Sequence, residues 1–315
     1  KFSRMRLCFS SMTKIFSKRF LGLGLTLLTL AACGTSTYYA HEVADRLAAP
    51  AWMIERTIPA GPFALTAFER MHERHAKATV YIEGDGPVFA ADGVENNPTP
   101  LNPVALHLAT RDRAQNVVYL ARPCQYSGLL DKAANCQDRF GPETRFSAAV
   151  INAYDAALDD IKRRYNIDGF HLVGYGGGGA IAAVLGAQRG DVVSLRTVAA
   201  NLDPVTHAAT TQQSLSPSEF VAHLGRLPQI HFIGGQDAQV PPAILHGYLQ
   251  DLGPTPCVQY DFIQEAAHDE GWVDKWPELL KQAPTCRGPL PAAAPLPAYE
   301  PEPVYHVTPE VPEKK

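Results

Sequence analysis

Asp237 and His268 are the residues of this chain best suited to proton-transfer chemistry, and a run of glycines centred on Gly176 lies upstream of both. Ile233-Gly-Gly-Gln-Asp237-Ala-Gln-Val-Pro241 sets a carboxylate just past an apolar, strand-like run, and Ala266-Ala-His268-Asp-Glu-Gly271-Trp272 does the same for an imidazole. A carboxylate next to an imidazole fixes its tautomer and stabilises the imidazolium formed when it takes a proton, which makes the imidazole a general base. The group for such a base to activate belongs at the tip of Gly174-Tyr175-Gly176-Gly177-Gly178-Gly179. Phe170 to Val173 read as a strand and Ala180 to Ala187 as an Ala-rich helix, joined by a turn with almost no side-chain volume. That is the layout of Gly-x-Ser-x-Gly, where small flanking residues let helix and strand approach and the central residue sits on a strained backbone. Gly174 and Gly178 fill the flanking positions, Tyr175 is expected to point away from the tip, and the central position, where serine is expected, holds Gly176. Glycine has no atom that can attack a carbonyl.

The elements that must position these residues can be read in order. Ala51 to Ile58 and Phe63 to Met71 look like two antiparallel strands joined by the turn Pro59-Ala-Gly-Pro62. Ala78 to Ile82 is a stronger strand ending in Glu83-Gly84-Asp85-Gly86; Pro87 to Pro103 reads as a loop, and Asn116 to Leu120 as the next strand. Apolar residues at helical spacing (Ala148, Ile151, Tyr154, Ala157, Leu158, Ile161) predict a long amphipathic helix before the glycine turn. Strands over Leu195 to Ala199, Gln229 to Ile233 and Val258 to Ile263 then alternate with helices near Pro242 to Leu252 and Gly271 to Lys281. The alternation predicts an α/β fold with a mainly parallel central sheet and helices on both faces, and ligands bind such sheets at the carboxyl ends of the strands.

Three motifs in the order nucleophile position, acid, histidine, each at a strand end, make the chain resemble the α/β-hydrolase fold serine hydrolases of the esterase, lipase and peptidase type, over roughly Ala51 to Lys281. The resemblance implies Asp237 as orienting acid and His268 as general base, with Asp203 in the strand-end loop Asn201-Leu-Asp203-Pro as the reserve acid. It places oxyanion donors on the backbone of Gly177 and of Gly84 or Asp85, with Glu83 standing where many such proteins have histidine. The plainer readings are that Asp237 caps the helix beginning near Val240, that His268 is a loop residue, and that the glycines make a tight turn. His72-Glu-Arg-His75 is a possible metal pair without a third ligand, and reads as surface histidines.

The 315 residues are 46% hydrophobic, enough for one sizeable core, and the formal charge of −4 argues against non-specific nucleic-acid binding. Lys1 is not an initiator, and Met12 is the expected start. Lys14, Lys18 and Arg19 precede an apolar run from Phe20 to Leu30, too short for an ordinary membrane span and suited to a signal peptide over residues 1–32. Leu30-Ala31-Ala32-Cys33 resembles the lipobox of bacterial lipoproteins, which implies a lipidated Cys33; Gly34 in place of aspartate then implies the outer membrane, facing the periplasm, with the lipid as membrane anchor. Residues 33–50 read as a tether with some helical pattern, 51–286 as the hydrolase-like domain, and the Pro-punctuated 287–315 as a disordered tail. Cys124, Cys136, Cys257 and Cys286 remain for an oxidising compartment. Three pairings are open; Cys124 with Cys136 and Cys257 with Cys286 is favoured, since the first brackets one loop and the second could tie the C-terminal segment to a strand.

Three functions are compatible with these residues. The first is an acyl ester or amide hydrolase architecture silenced at Gly176, binding a small acyl-type ligand without a cofactor. The second is a weak hydrolase in which His268 activates water directly. The third takes Gly174-x-Gly176-x-x-Gly179 as a dinucleotide fingerprint, although the next strand ends in Ala199-Ala-Asn201 with no acid for a ribose.

Overall fold

Alternating apolar strands and amphipathic helices assemble here into a single eight-stranded sheet. The computed structural model describes residues 39–86, 98–127, 144–205 and 214–288. A helix over 39–48 (α1) comes first, followed by the antiparallel hairpin β1 (Ile54–Ala60) and β2 (Phe63–Met71), which turns through Gly61 at φ 63°. Then come β3 (Lys77–Ile82), α2 (Val104–Arg111), β4 (Asn116–Leu120), α3 (Ala148–Tyr165), β5 (Gly169–Tyr175) and α4 (Gly177–Gln188). The remaining elements are β6 (Val192–Val198), a short α5 (Val221–Leu224), β7 (Gln229–Gly234), α6 (Pro242–Leu252), β8 (Val258–Ile263) and a one-turn α7 (Trp276–Leu279).

The strand order is β1-β2-β4-β3-β5-β6-β7-β8, antiparallel across β1, β2 and β4 and parallel from β4 through β8. The mainly parallel α/β architecture expected from the sequence is therefore what forms. Because β3 leads to β4 on one side and β5 lies on its other, the β3–β5 junction is a switch point where connections leave in opposite directions, opening a crevice at the carboxyl ends. One sheet face packs Val80, Ile82 and Leu172 under Ile151, Leu158 and Ile181 of α3 and α4. The other packs Tyr81 and Val173 against Leu108 of α2 and the fully buried Trp272 and Trp276. Every residue of α4 from Gly177 to Ala187 is buried, which is why this helix has no polar face.

Several details differ from the sequence reading or extend it. The helix α1 sits inside the stretch read as a tether, and its Ala44 and Ala48 join the core. The helix α2 had no counterpart in that reading, and β6 begins three residues early, at Val192. The helix anticipated over Gly271 to Lys281 shrinks to Trp276–Leu279, because Gly271 takes φ 85° and a Cβ there would lie 2.9 Å from the Cα of Ala266. Cys257 and Cys286 form a disulfide that fastens the C-terminal segment ahead of β8. Cys124 is disulfide-bonded as well, while Cys136, the lipidation candidate Cys33, the signal segment and the Pro-rich tail lie outside the described residues. No helix among the described residues is long and apolar enough to cross a membrane.

Candidate active site

The turn between β5 and α4 has Gly176 at φ 53°, ψ −125°, a left-handed conformation that costs a residue with a side chain about 1–3 kcal/mol. Its N–H donates to Val198 O at 3.1 Å, and its carbonyl accepts from Gly179 N at 3.1 Å and Asn201 N at 3.0 Å. The glycines around it are required by space. A Cβ on Gly174 would come within 2.5 Å of Gly178 O, and one on Gly178 within 2.4 Å of Ile82 O. Gly176 differs: the nearest atoms that a Cβ there would meet are His268 Nε2 at 3.5 Å, Gly84 Cα at 3.6 Å and His268 Cε1 at 3.7 Å, ordinary contact distances. The central position has room for a side chain, and what that side chain would face is the imidazole.

His268 is set by the end of β8 and Asp237 by the end of β7, and His268 Nδ1 lies 3.0 Å from Asp237 Oδ2. The other carboxylate oxygen, Oδ1, accepts from Gln239 N at 2.9 Å and Val240 N at 2.8 Å. Asp237 thus both organises the turn ahead of α6 and orients the histidine, so the capping and the catalytic readings hold together. Trp272 Nε1 donates to the carbonyls of Ala267 and His268 at 2.8 and 3.0 Å and pins the histidine loop. The Tyr175 ring, rather than turning away, stands 5.3 Å from the His268 ring, and burial pushes its phenol well above the ordinary value, so it stays protonated. Asp203 is not the acid: it lies in the loop after β6, its N–H donating to Asn201 Oδ1 at 3.2 Å, while Asp237 occupies Nδ1 of His268.

The opposite wall is the loop Glu83–Gly86 beyond β3. Glu83 is 1% exposed, and its Oε1 accepts from Gly84 N at 2.9 Å and Ala105 N at 3.4 Å, joining the loop to the start of α2. Burial pushes its carboxyl up to about 7, against the opposing pull of those backbone hydrogen bonds. Gln125 donates to Gly84 O at 3.0 Å and to Pro98 O at 3.1 Å and accepts from Arg122 N at 2.9 Å. The Asp85 carboxylate pairs with Arg122 Nη1 at 2.5 Å and Arg145 Nη1 at 3.4 Å, two arginines 0% and 4% exposed in their side chains. It also lies against Gly177, where a Cβ would be 2.4 Å from Asp85 Oδ2. Gly84, Asp85 and Gly177 are thereby brought to one side of Gly176, with Asp237 and His268 on the other. A carboxylate here would oppose developing negative charge, and the two guanidiniums leave the trio with a net positive charge instead. Asp85 Oδ2 already lies against Gly177 at the start of α4, in the place that the dinucleotide reading of Gly174 to Gly179 gives to a pyrophosphate.

Arg122, Gln125, Arg145 and the burial of Glu83 were not anticipated. The available signal was Arg122-Pro-Cys-Gln-Tyr126 directly after β4, since that segment starts at a carboxyl strand end. His72 and His75 are exposed at the opposite edge, His75 Nδ1 lying 3.9 Å from Asp168. The group of potential metal ligands that does converge among the described residues is His41, Asp45 and Glu55, on the surface.

No family model and no curated protein matches the chain. Solved structures do. The chain resembles Est1E from Butyrivibrio proteoclasticus at 13% identity and a TM-score of 0.50, over 72% of this chain and 96% of that one. An Agrobacterium tumefaciens protein of unknown function, described as a candidate alpha/beta hydrolase, is 16% identical with a TM-score of 0.50, over 72% and 92%. The acylaminoacyl peptidase of Pyrococcus horikoshii is 13% identical with a TM-score of 0.52, over 74% of this chain and 42% of that one. At such identities the shared property is the fold, and the fold of this chain is that of the α/β hydrolases.

Proposed function

We propose that this chain is an acyl ester or amide hydrolase of the bacterial cell envelope whose nucleophile position is empty, so that it holds its ligand without turning it over. The observation that carries this reading is the Gly176 geometry: a strained elbow backbone whose absent Cβ would point at His268 Nε2, 3.5 Å away, with Asp237 behind it. An acyl-enzyme needs a bond from the nucleophile to the carbonyl carbon, and glycine supplies no atom for it. In a serine protease the loss of the nucleophile lowers turnover about 10⁶-fold, leaving roughly 10³ to 10⁴ over water. The persistence of the Asp237–His268 pair favours a recent or deliberate loss, since nothing in the packing of a disused site requires an imidazole on that carboxylate. The apolar run from Phe20 to Leu30 followed by Cys33 supports lipid anchoring, with Cys33 carrying the lipid.

One observation favours a second reading. The emptied position lies beside His268 Nε2, where a water could be deprotonated, so slow hydrolysis of labile esters is the competing account. A fluorophosphonate probe separates the two. Under the first reading it labels the Gly176→Ser chain and leaves the native chain and the Gly176→Ser/His268→Ala chain unlabelled. A folded Gly176→Ser chain that resists labelling would remove the hydrolase reading; ester turnover by the native chain that disappears in His268→Ala would favour the water route.

A further inference from the structure

Glu83 heads the loop that faces Gly176, and its carboxyl is withdrawn from water without a counter-ion. It is 1% exposed, and the two buried guanidiniums of that wall, Arg122 and Arg145, pair with Asp85 instead. A buried carboxylate in that position is relieved by taking up a proton. Its Oε2 meets no hydrogen-bond partner, and neither do the phenol oxygens of Tyr119 on β4 and Tyr126 just beyond it, both buried. The two phenols face the Glu83 carboxyl and each other, and burial raises both well above the ordinary value, so they stay protonated. Buried polar oxygens are nearly always paired, and a proton on Oε2 gives this group a neutral arrangement in which the carboxyl donates to a phenol oxygen.

The other oxygen, Oε1, acts on the loop itself. It accepts from Gly84 N at 2.9 Å and from Ala105 N at 3.4 Å, so the Gly84 N–H is already spent. The Asp85 N–H donates to no acceptor among the described residues. Gly177, the first residue of α4, has no intrahelical acceptor for its N–H. Of the three oxyanion donors that the sequence suggests, Asp85 and Gly177 are the two left for a ligand.

We propose that Glu83 is a positioning residue working as a neutral acid: one oxygen holds the Gly84 N–H, so that Asp85 and Gly177 present the oxyanion donors, and the other carries a proton towards Tyr119 and Tyr126. The catalytic consequence rests on the hydrolase reading; the neutral clamp does not. Around the carboxyl stand Asp85 with Arg122 and Arg145, the phenols of Tyr119, Tyr126, Tyr154 on α3 and Tyr175 on β5, and His268 across Gly176. The start of α2 faces it with the main-chain N–H groups of Ala105 and Leu106. Burial raises the carboxyl to about 7. Above that pH an unpaired carboxylate adjoins the residue whose N–H receives the oxyanion, and it opposes the developing negative charge.

The pH profile of the Gly176→Ser chain on p-nitrophenyl butyrate tests the role. Its kcat/KM should rise with pH as His268 loses its proton and then fall about tenfold or more between pH about 7 and about 9. Adding Glu83→Gln, whose amide keeps an acceptor for Gly84 and a donor in place of the proton, should remove the fall. Adding Glu83→Ala should lower kcat about tenfold at every pH with KM little changed; should that chain not fold, the other two profiles decide. In the native chain, the infrared difference spectrum against Glu83→Gln should show a protonated carboxyl that disappears as pH rises through about 7. A carboxyl already ionised at pH about 5 overturns the proposal, as does an alkaline fall that survives Glu83→Gln. An active Gly176→Ser chain without the fall also overturns it and leaves the hydrolase reading standing. A protonated carboxyl in the native chain, beside a Gly176→Ser chain inert at every pH, upholds the clamp and removes the hydrolase reading.

Discussion

On one side of Gly176 an imidazole is held by a single carboxylate, Asp237 on His268 at 3.0 Å, in loops at the ends of β7 and β8. On the other, the loop Glu83–Gly86 is held by two buried guanidiniums, a buried glutamine and a buried carboxyl. The first wall is sparse, and its groups do little for the fold beyond the turn that Asp237 caps. The second is an ionic and hydrogen-bonded cluster withdrawn from water, where each charge is tolerated only because its partners are present. Damage to the first should therefore change chemistry at constant stability, and damage to the second should change stability first.

The sharpest separation of the two walls comes from Asp237→Asn introduced into the Gly176→Ser chain. The imidazole then loses the carboxylate that sets its tautomer, and kcat is expected to fall about 10⁴-fold with the circular dichroism spectrum unchanged. A decrease of less than about tenfold would mean that Asp237 is only a cap. On the other wall, Arg122→Met strands the Asp85 carboxylate beside Arg145 alone. Denaturant unfolding should show a loss of about 3–5 kcal/mol, with part recovered on adding Asp85→Asn. If Arg122→Met is silent, the cluster does not support the loop.

The disulfide gives a control distant from both walls. Replacing Cys257 and Cys286 by serine opens a loop of 29 residues, and the chain-entropy account gives a loss of about 3–4 kcal/mol. Fluorophosphonate labelling of the Gly176→Ser chain should be unaffected below the new melting transition.

Glu83 supplies the smallest effect and a pH dependence. Its folded carboxyl is raised from the ordinary 4.5 to about 7, so the fold binds its proton more tightly than the unfolded chain does. Its stabilising contribution is complete below about 4.5 and is lost as pH rises through 7, a change of about 3 kcal/mol. Glu83→Gln should be the more stable chain at pH about 8, and the two should converge near pH about 5. A native chain whose unfolding free energy shows no such excess decline relative to Glu83→Gln would mean that Glu83 is solvated.

The contrast between the walls also explains what could be read in the chain. Gly176, Asp237 and His268 were legible because each follows an apolar run directly, and strand ends are where an open parallel sheet exposes chemistry. Arg122, Gln125 and Arg145 follow strand β4 or precede α3 just as visibly, but polar residues in loops read as solvated. Only tertiary packing, with Phe146 under both guanidiniums at 5.1 and 5.2 Å, turns them inward. The helix α2 was overlooked behind the Pro-rich loop, although Val104, Ala105, Leu108 and Ala109 mark its buried face. The helix read from Gly271 onward failed because periodicity does not reveal the positive φ that Gly271 adopts.

What Gly176 removes from the site is the attacking atom. Hydrolysis of p-nitrophenyl butyrate by the native chain and by Gly176→Ser, measured side by side, tests this most directly. The native chain should not exceed its buffer blank by more than the residual about 10³- to 10⁴-fold, and Gly176→Ser should exceed the native chain by about 10³-fold or more. Equal rates in two folded proteins would contradict it.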